Sequence, residues 1–251
     1  MPEGTRTTTT ISTRRAMAID PVLDRGGLFR LMAWLSPAFP VGAFAYSHGI
    51  ECAVEQGLVR DRVSLTHWIA AIVSFGAGAV DAVLFREAWA AAWADDSDAL
   101  GRIAELGAAF RGSAESALES ADQGSAFLAT VAEAWSDPRL PVWGEVLRKE
   151  ERTPGYAIAV GAVAGWKGIP LDVSLFAFLQ AFAANLVSAG VRLIPLGQTD
   201  GQRAIAALEA PITAAVEAAL VRPLDDIGTA TPMVEWTSVL HETQYARLFR
   251  S

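Results

Sequence analysis

His48 and Cys52 stand four residues apart, with Glu51 and Glu55 beside them. On a helix a four-residue step puts imidazole and thiol on one face. Together they offer a nitrogen-and-sulfur pair suited to zinc, nickel or copper. Two ligands fall short of a closed site, so any others must come from distant segments or from a partner. The same pair suits a plainer role, a small buried thiol acting as a hydrophobe next to a histidine that hydrogen-bonds at an interface. A helical enzyme with its site near His48, Glu51 and Cys52 is the alternative that this spacing leaves open.

Other routes to chemistry are thinly supplied. The chain has two lysines, Lys149 and Lys167, and neither follows a glycine loop able to cradle phosphate. Gly161-Ala162-Val163-Ala164-Gly165 is glycine-rich but sits in an apolar helical run, where small residues serve helix packing. No serine follows a strand in a nucleophile-elbow pattern. His67 falls near a helix start beside Trp68, and the carboxylate pairs Asp95-Asp96 and Asp225-Asp226 fall in expected loops facing water.

Two polar segments suit recognition better than catalysis. In Leu196–Gln202, Gln198 and Gln202 each donate and accept hydrogen bonds, and Asp200 favours a following helix N-terminus. They suit a pinned loop and a partner-facing surface equally. Near the C-terminal end, Tyr245, Leu248 and Phe249 supply apolar anchors, while Arg247 and Arg250 supply planar forks for carboxylates. Tyrosine and arginine often dominate protein interfaces. The alternative is an arm docked on its own domain.

The elements that must position these groups read as helices. Leu28, Leu31, Met32 and Leu35 form one apolar face. Ser36–Gly42, with two prolines, stops that helix. A second helix is expected over 43–56, closed by Gly57. Leu65, Trp68, Ile69, Ile72 and Val73 open a third pattern, which runs through Val80, Leu84 and Trp89 with a bend near Gly76 and Gly78. Further helices are expected over 95–113, 113–134, 142–151, 155–166 and 172–190, the last capped by Asp172. Ser136–Pro141 reads as a linker. Thr199 and Gln202 match a capping box, and Pro211 kinks or splits the stripe from Ile205 to Leu220. A short helix over 234–240 precedes the arm. No run of alternating strands appears. The fold class is therefore all-α, an irregular bundle of about eight to ten helices. Its expected parts are a disordered leader over 1–22, a helical domain over 23–233 and an arm over 234–251.

Composition narrows the partners. The chain is 52% hydrophobic, ample for a sizeable core. With 20 basic and 28 acidic residues it carries a formal charge of −8, which does not suit general binding to nucleic acid or anionic membrane. One cysteine permits no internal disulfide and fits a reducing compartment. The N-terminal stretch lacks the apolar core of a signal peptide. Val173–Val191 is 19 residues without formal charge, long enough to consider as a membrane span. Its Ser174, Gln180, Asn185 and Ser188, and its many alanines, point instead to a buried helix.

Three segments carry a resemblance: Ser36-Pro37-Ala38-Phe39-Pro40-Val41-Gly42-Ala43-Phe44-Ala45-Tyr46-Ser47-His48-Gly49-Ile50-Glu51, Arg192-Leu193-Ile194-Pro195-Leu196-Gly197-Gln198-Thr199-Asp200-Gly201-Gln202, and His241–Ser251. In this order they resemble the UreF family of urease accessory proteins, over roughly residues 28–251. The resemblance implies an all-helical homodimer in the cytoplasm that is not itself an enzyme. It implies assembly with a UreD/UreH-type accessory protein and the UreG GTPase on apo-urease, in support of lysine carbamylation and nickel insertion, with regulation of the GTPase proposed for the family. Nickel and GTP belong to partner proteins, and no cofactor is held stably by the chain. By position, Tyr46, His48 and Glu51 fall to a GTPase-facing or dimer surface. Arg192, Gln198, Asp200 and Gln202 fall to a loop with some interfacial contact. His241, Gln244, Tyr245, Arg247, Phe249 and Arg250 fall to an arm that orders against the UreD-type partner. Cys52 departs from the residue type common among relatives. Arg111–Gly124 keeps Glu115 and Glu119 but lacks the arginine usual between the family's acidic positions.

Overall fold

The computed structural model describes residues 21–251. The leader expected over 1–22 therefore lies, but for its last two residues, outside the described residues. Among the described residues the secondary structure is helical throughout: α1 Arg25–Trp34, α2 Ile50–Glu55, α3 Arg62–Phe75, α4 Ala77–Trp93, α5 Ser97–Ala109, α6 Ala114–Ala134, α7 Arg139–Lys149, α8 Tyr156–Trp166, α9 Leu171–Leu193, α10 Gln198–Ala207, α11 Glu209–Val221 and α12 Pro232–His241. Two single 3₁₀ turns, Ala43–Ala45 and Leu224–Asp226, complete them. The pairs α3–α4 and α10–α11 are each split at one residue, Gly76 and Leu208. Counted as bent single helices, they bring the twelve to ten. The all-α class and the irregular bundle follow the expectation.

Local chemistry explains several of the starts. Asp24 caps α1 by accepting from the Gly27 amide at 2.6 Å. Asp61 with Ser64, and Ser113 with Ser116, form reciprocal boxes that satisfy the first free amides of α3 and α6. Pro211 lies in the first turn of α11, where its missing N–H costs nothing.

α4 and α8 form the centre. α8 is buried on every side except at Tyr156, as an apolar helix without a polar face must be. The two helices meet almost backbone to backbone. A Cβ on Gly161 would lie 2.5 Å from the Phe85 carbonyl oxygen, and one on Gly165 would lie 2.5 Å from that of Trp89. The packing role read for Gly161–Gly165 is thus their position in the fold. α3 and α5 pack on α4, α6 packs on α8, and α9 runs against α3, α4, α8 and α11. α7 closes against α5 and α6, and α12 lies on α2. By length and composition α9, and the joined pairs α3–α4 and α10–α11, are apolar enough to cross a membrane. In this bundle half of the apolar stretch of α9 is buried against its neighbours.

Several local expectations need correction. In α1 the buried line is Gly27, Leu31 and Trp34, while Leu28 and Met32 face outward. A second helix over 43–56 does not form. The chain makes the turn Ala43–Ala45, passes through an extended Tyr46, and enters α2 only at Ile50. His48 and Gly49 both take positive φ, 52° and 73°, which no helix accommodates. Asp172 sits within the first turn of α9, and the N-cap is Pro170. The expected box of Thr199 and Gln202 is absent because α10 starts earlier, after Gly197. The linker Ser136–Pro141 is shorter than expected, since α7 begins at Arg139.

Candidate functional site

The break between Ala45 and Ile50 creates the site. Because His48 precedes α2, it does not share a helix face with Cys52, so the ligand pair expected from their spacing is not assembled. His48 Nε2 lies 2.9 Å from Glu119 Oε1, and its ring meets Phe182 edge-on at 5.0 Å. Burial alone would lower the His48 pKa. The Glu119 carboxylate, by charge and hydrogen bond, and Asp81 outweigh burial and raise it. Cys52 faces Gln56, with its thiol pushed up by burial and by the Glu55 charge, away from the thiolate a metal or an electrophile requires. Gly49 earns its place by proximity: a Cβ there would lie 2.7 Å from the Ser238 amide nitrogen of α12.

Three carboxylates then organise everything nearby. Glu51, on α2, accepts from the backbone amide of Leu248 at 2.6 Å through Oε1 and from that of Phe249 at 2.9 Å through Oε2. Its Oε2 also lies 3.2 Å from His241 Nε2. Glu115, on α6, lies 2.7 Å from His241 Nδ1 through Oε2 and accepts from Arg247 at 2.5 Å through Oε1. One turn on, Glu119 joins His48 and Gln123 through Oε1 and accepts the Ser251 hydroxyl at 2.9 Å through Oε2. Behind this row Arg111 and Asp81 pair at 2.7 Å, both largely buried.

The segment after α12 is laid along this row. The Ser251 carbonyl oxygen accepts from the Ser47 amide at 2.8 Å and from its hydroxyl at 2.5 Å. The Arg250 amide donates to Ala45 at 2.7 Å. Phe249 is buried beneath the Arg192 guanidinium, whose centre is 4.3 Å from the ring centroid, while Arg192 also donates to the Phe44 carbonyl at 2.8 Å. Arg250 stands 5.6 Å over the Tyr46 ring, and the Tyr46 hydroxyl donates to Asp122 at 3.2 Å.

Of the residues singled out in the sequence, Tyr46, His48, Glu51, Arg192, His241, Arg247, Phe249 and Arg250 therefore converge on one assembly. His241 is not part of a free arm: it is the last residue of α12 and fully buried. Gln198, Asp200 and Gln202 lie apart on α10, where Asp200 pairs with Arg203 at 2.9 Å. Gln244 donates to the Ala246 carbonyl at 3.3 Å, and Tyr245 projects fully into solvent. Sequence reading undervalued Glu115 and Glu119. Their signal is the Glu115, Glu119, Gln123 ladder at four-residue steps on one face of α6.

Chemically the assembly holds a peptide. The histidine and carboxylate atoms meet at hydrogen-bond distances, leaving no space between them for an ion that needs about 2 Å to each ligand. Among the described residues no group of three or more His, Cys, Asp or Glu is arranged to hold a metal. Met233, Trp236 and Val239 meanwhile recur at three-residue steps on the outward side of α12, largely exposed, and Leu248 is exposed on the segment beyond.

A sequence model of the UreF family matches residues 59–209. The urease accessory protein UreF of Granulibacter bethesdensis is 51% identical over 224 residues, 89% of this chain and 94% of that protein. The chain belongs to the UreF family. The protein of the same name from a strain of Rhodopseudomonas palustris is 48% identical over 231 residues, 92% of this chain and 95% of its own length. That from a Bradyrhizobium species is 49% identical over 229 residues, covering 91% and 94%. These UreF alignments extend well beyond the span of the family model.

Proposed function

We propose that this chain is a urease maturation factor that acts by binding rather than by catalysis, joining a UreD/UreH-type accessory protein and the UreG GTPase on apo-urease. In this reading it works in the cytoplasm as a homodimer, independently of nucleic acid and membrane. Nickel and GTP are handled by the partners, and neither is bound stably by the chain. Residues 23–233 form the body and residues 234–251 the partner-binding arm. Membership in the UreF family supports the accessory role.

The observation that carries the partner reading is the outward side of α12. Met233, Trp236 and Val239 are exposed on a helix whose opposite side is locked to α2, and Tyr245 and Leu248 continue the exposed side chains beyond it. A large tryptophan and tyrosine on a rigid support form the usual nucleus of a protein interface. Tyr46, His48 and Glu51 hold the adjoining loop, so a partner gripping α12 bears on that loop through the Gly49–Ser238 contact. Such a contact regulates the GTPase only if its affinity differs between nucleotide states. Arg192 belongs to the same surface. Gln198, Asp200 and Gln202 offer a second, separate polar face.

The test is co-purification with a UreD-type protein and UreG, comparing the native chain with the double substitution Trp236→Asp and Tyr245→Ala. Recovery of the UreD-type protein is expected to drop about a hundred-fold, as two interface anchors imply, with the helical circular dichroism unchanged. Undiminished recovery, or unimpaired nickel-dependent urease activation by the variant, would defeat the assignment. A chain ending at Leu240 gives the blunter version of the same comparison.

A further inference from the structure

The outward side of α1 is a large apolar surface that the partner reading leaves unused. Leu28, Phe29 and Met32 are exposed there by 46%, 66% and 69%. Steps of three and four residues join them into one patch. The opposite side, Gly27, Leu31 and Trp34, is buried against the bundle. α1 is thus apolar all round, the pattern of a helix covered on both sides. The chain's own folding covers one side only, and an exposed patch of large apolar side chains marks a contact surface.

The rim of the patch is basic. Residues 25–50 include Arg25 and Arg30 and no acidic residue. Arg25 is exposed and Arg30 half-buried. Arg30 folds back over Gly26, where an added Cβ would meet its Nη1 at 3.4 Å and the Asp24 Oδ1 at 3.5 Å. Asp24 is engaged in capping, its Oδ1 taking the Gly27 amide at 2.6 Å. On a chain with a formal charge of −8 this is a local positive spot beside apolar side chains.

Three occupants suit an apolar helix face, and charge separates them. A second copy turned face to face would set Arg25 and Arg30 against their own counterparts, with like charges opposed. Its α12 presents little acid, since Glu242 accepts the Ala114 amide at 2.7 Å and Glu235 is half-buried. An anionic membrane would attract the two arginines but repel the rest of an acidic chain, and a 10-residue helix is a weak anchor. A protein segment with apolar residues between carboxylates matches both the patch and its rim.

We propose that the outward side of α1 docks an amphipathic helix of a partner protein, with the apolar stripe on Leu28, Phe29 and Met32 and flanking carboxylates on Arg25 and Arg30. This rests on the reading of the chain as a binding protein and gives it a further surface besides α12.

The experiment follows methionine methyl groups, because Met32 lies on this face and Met233 on the outward side of α12. The full chain, labelled with carbon-13 at those methyls, is titrated with two helical peptides of about 18 residues. Both carry a leucine stripe, flanked by glutamates in one and by lysines in the other. The glutamate peptide is expected to shift Met32, leave Met233 in place, and bind about ten-fold more tightly at this face than the lysine peptide. Phe29→Asp should weaken that binding about ten-fold, and Arg25→Glu should reverse the preference between the peptides. Both positions are exposed, and an unchanged Met233 signal reports an intact fold. A Met32 signal that ignores the glutamate peptide, or answers both peptides equally, overturns the proposal. So does a Met32 shift that grows with protein concentration alone, which assigns the face to a second copy. Sedimentation with phosphatidylserine vesicles that Phe29→Asp abolishes assigns it to lipid and overturns it equally. Co-purification with the UreD-type protein and UreG reads α12 and fails or succeeds independently of these spectra.

Discussion

The α4–α8 contact and the seat of the C-terminal segment both join parts of the chain distant in sequence, yet they are made of different materials. At α4–α8 the fit is steric. Gly161 and Gly165 bring two backbones together, and the residues they meet, Phe85, Trp89 and Ala92, have apolar side chains. At the seat the fit is electrostatic. Glu51, Glu115 and Glu119 collect amides, two imidazoles and an arginine, and Phe249 and Tyr46 are large rings buried among them. A steric joint tolerates no added atom and is indifferent to pH. A charged joint can be undone reversibly, because water and protons compete for the same groups. The first holds the bundle together, and the second is where the molecule can change.

Substitutions can press on each side of that contrast. The largest effect is expected for Gly161→Val, which forces the helices apart. It should destabilise the whole fold by about 3 kcal/mol, read as a lower urea midpoint with an unchanged slope. Next comes Glu51→Ala, which leaves two amides and an imidazole without their acceptor. It should cost about 2 kcal/mol at the seat, seen as lost exchange protection over residues 242–251, while the melting of α4 and α8 shifts little. Should global melting fall as far as in Gly161→Val, the two joints would not be separable. A smaller effect comes from His48→Gln. The raised pKa of His48 means that its contribution is complete below about pH 6.5, its ordinary value, and is lost as pH climbs through the folded value. Stability–pH curves of the native chain should carry this decline, and the variant should lack it. The smallest change is expected for Arg203→Ala. It breaks an exposed pair with Asp200 and should alter thermal stability by no more than about 0.5 kcal/mol.

The steric joint was legible in the sequence, and the charged one much less so. The glycine pair at 161 and 165, the bend at Gly76 and the split near Pro211 all follow from local rules about small residues and proline, which act within a turn or two. Periodicity likewise placed α5, α6, α8 and α9 to within a few residues. It failed over 43–56, where Phe44, Ile50 and Val54 mimic a helical stripe but Gly49 must admit α12 at close range. That demand comes from residue 238 and leaves no local trace. The same holds for α1, where Leu28 and Met32 match the spacing but Trp34 supplies the side that meets Phe127 and Trp135. Residue types picked out His48, Glu51 and the tail as groups of interest, and the family resemblance added Tyr46 and Arg192. They could not show that His241 would find Glu115, 126 positions earlier. Glu115 and Glu119 look like ordinary surface acids until the fold turns them inward.

Ser47 meets its partner 204 residues later, at Ser251. During synthesis the loop around Tyr46 and His48 thus leaves the ribosome early but waits for Arg250 and Ser251 before its bonds can close. The helical centre can assemble domain-fashion ahead of it. Closure of the loop then follows assembly of the helical centre, and a polypeptide cut before Arg247 would present a folded body with an unfinished loop. The order in which the two regions settle is thereby written into the distance along the chain between Ser47 and Ser251.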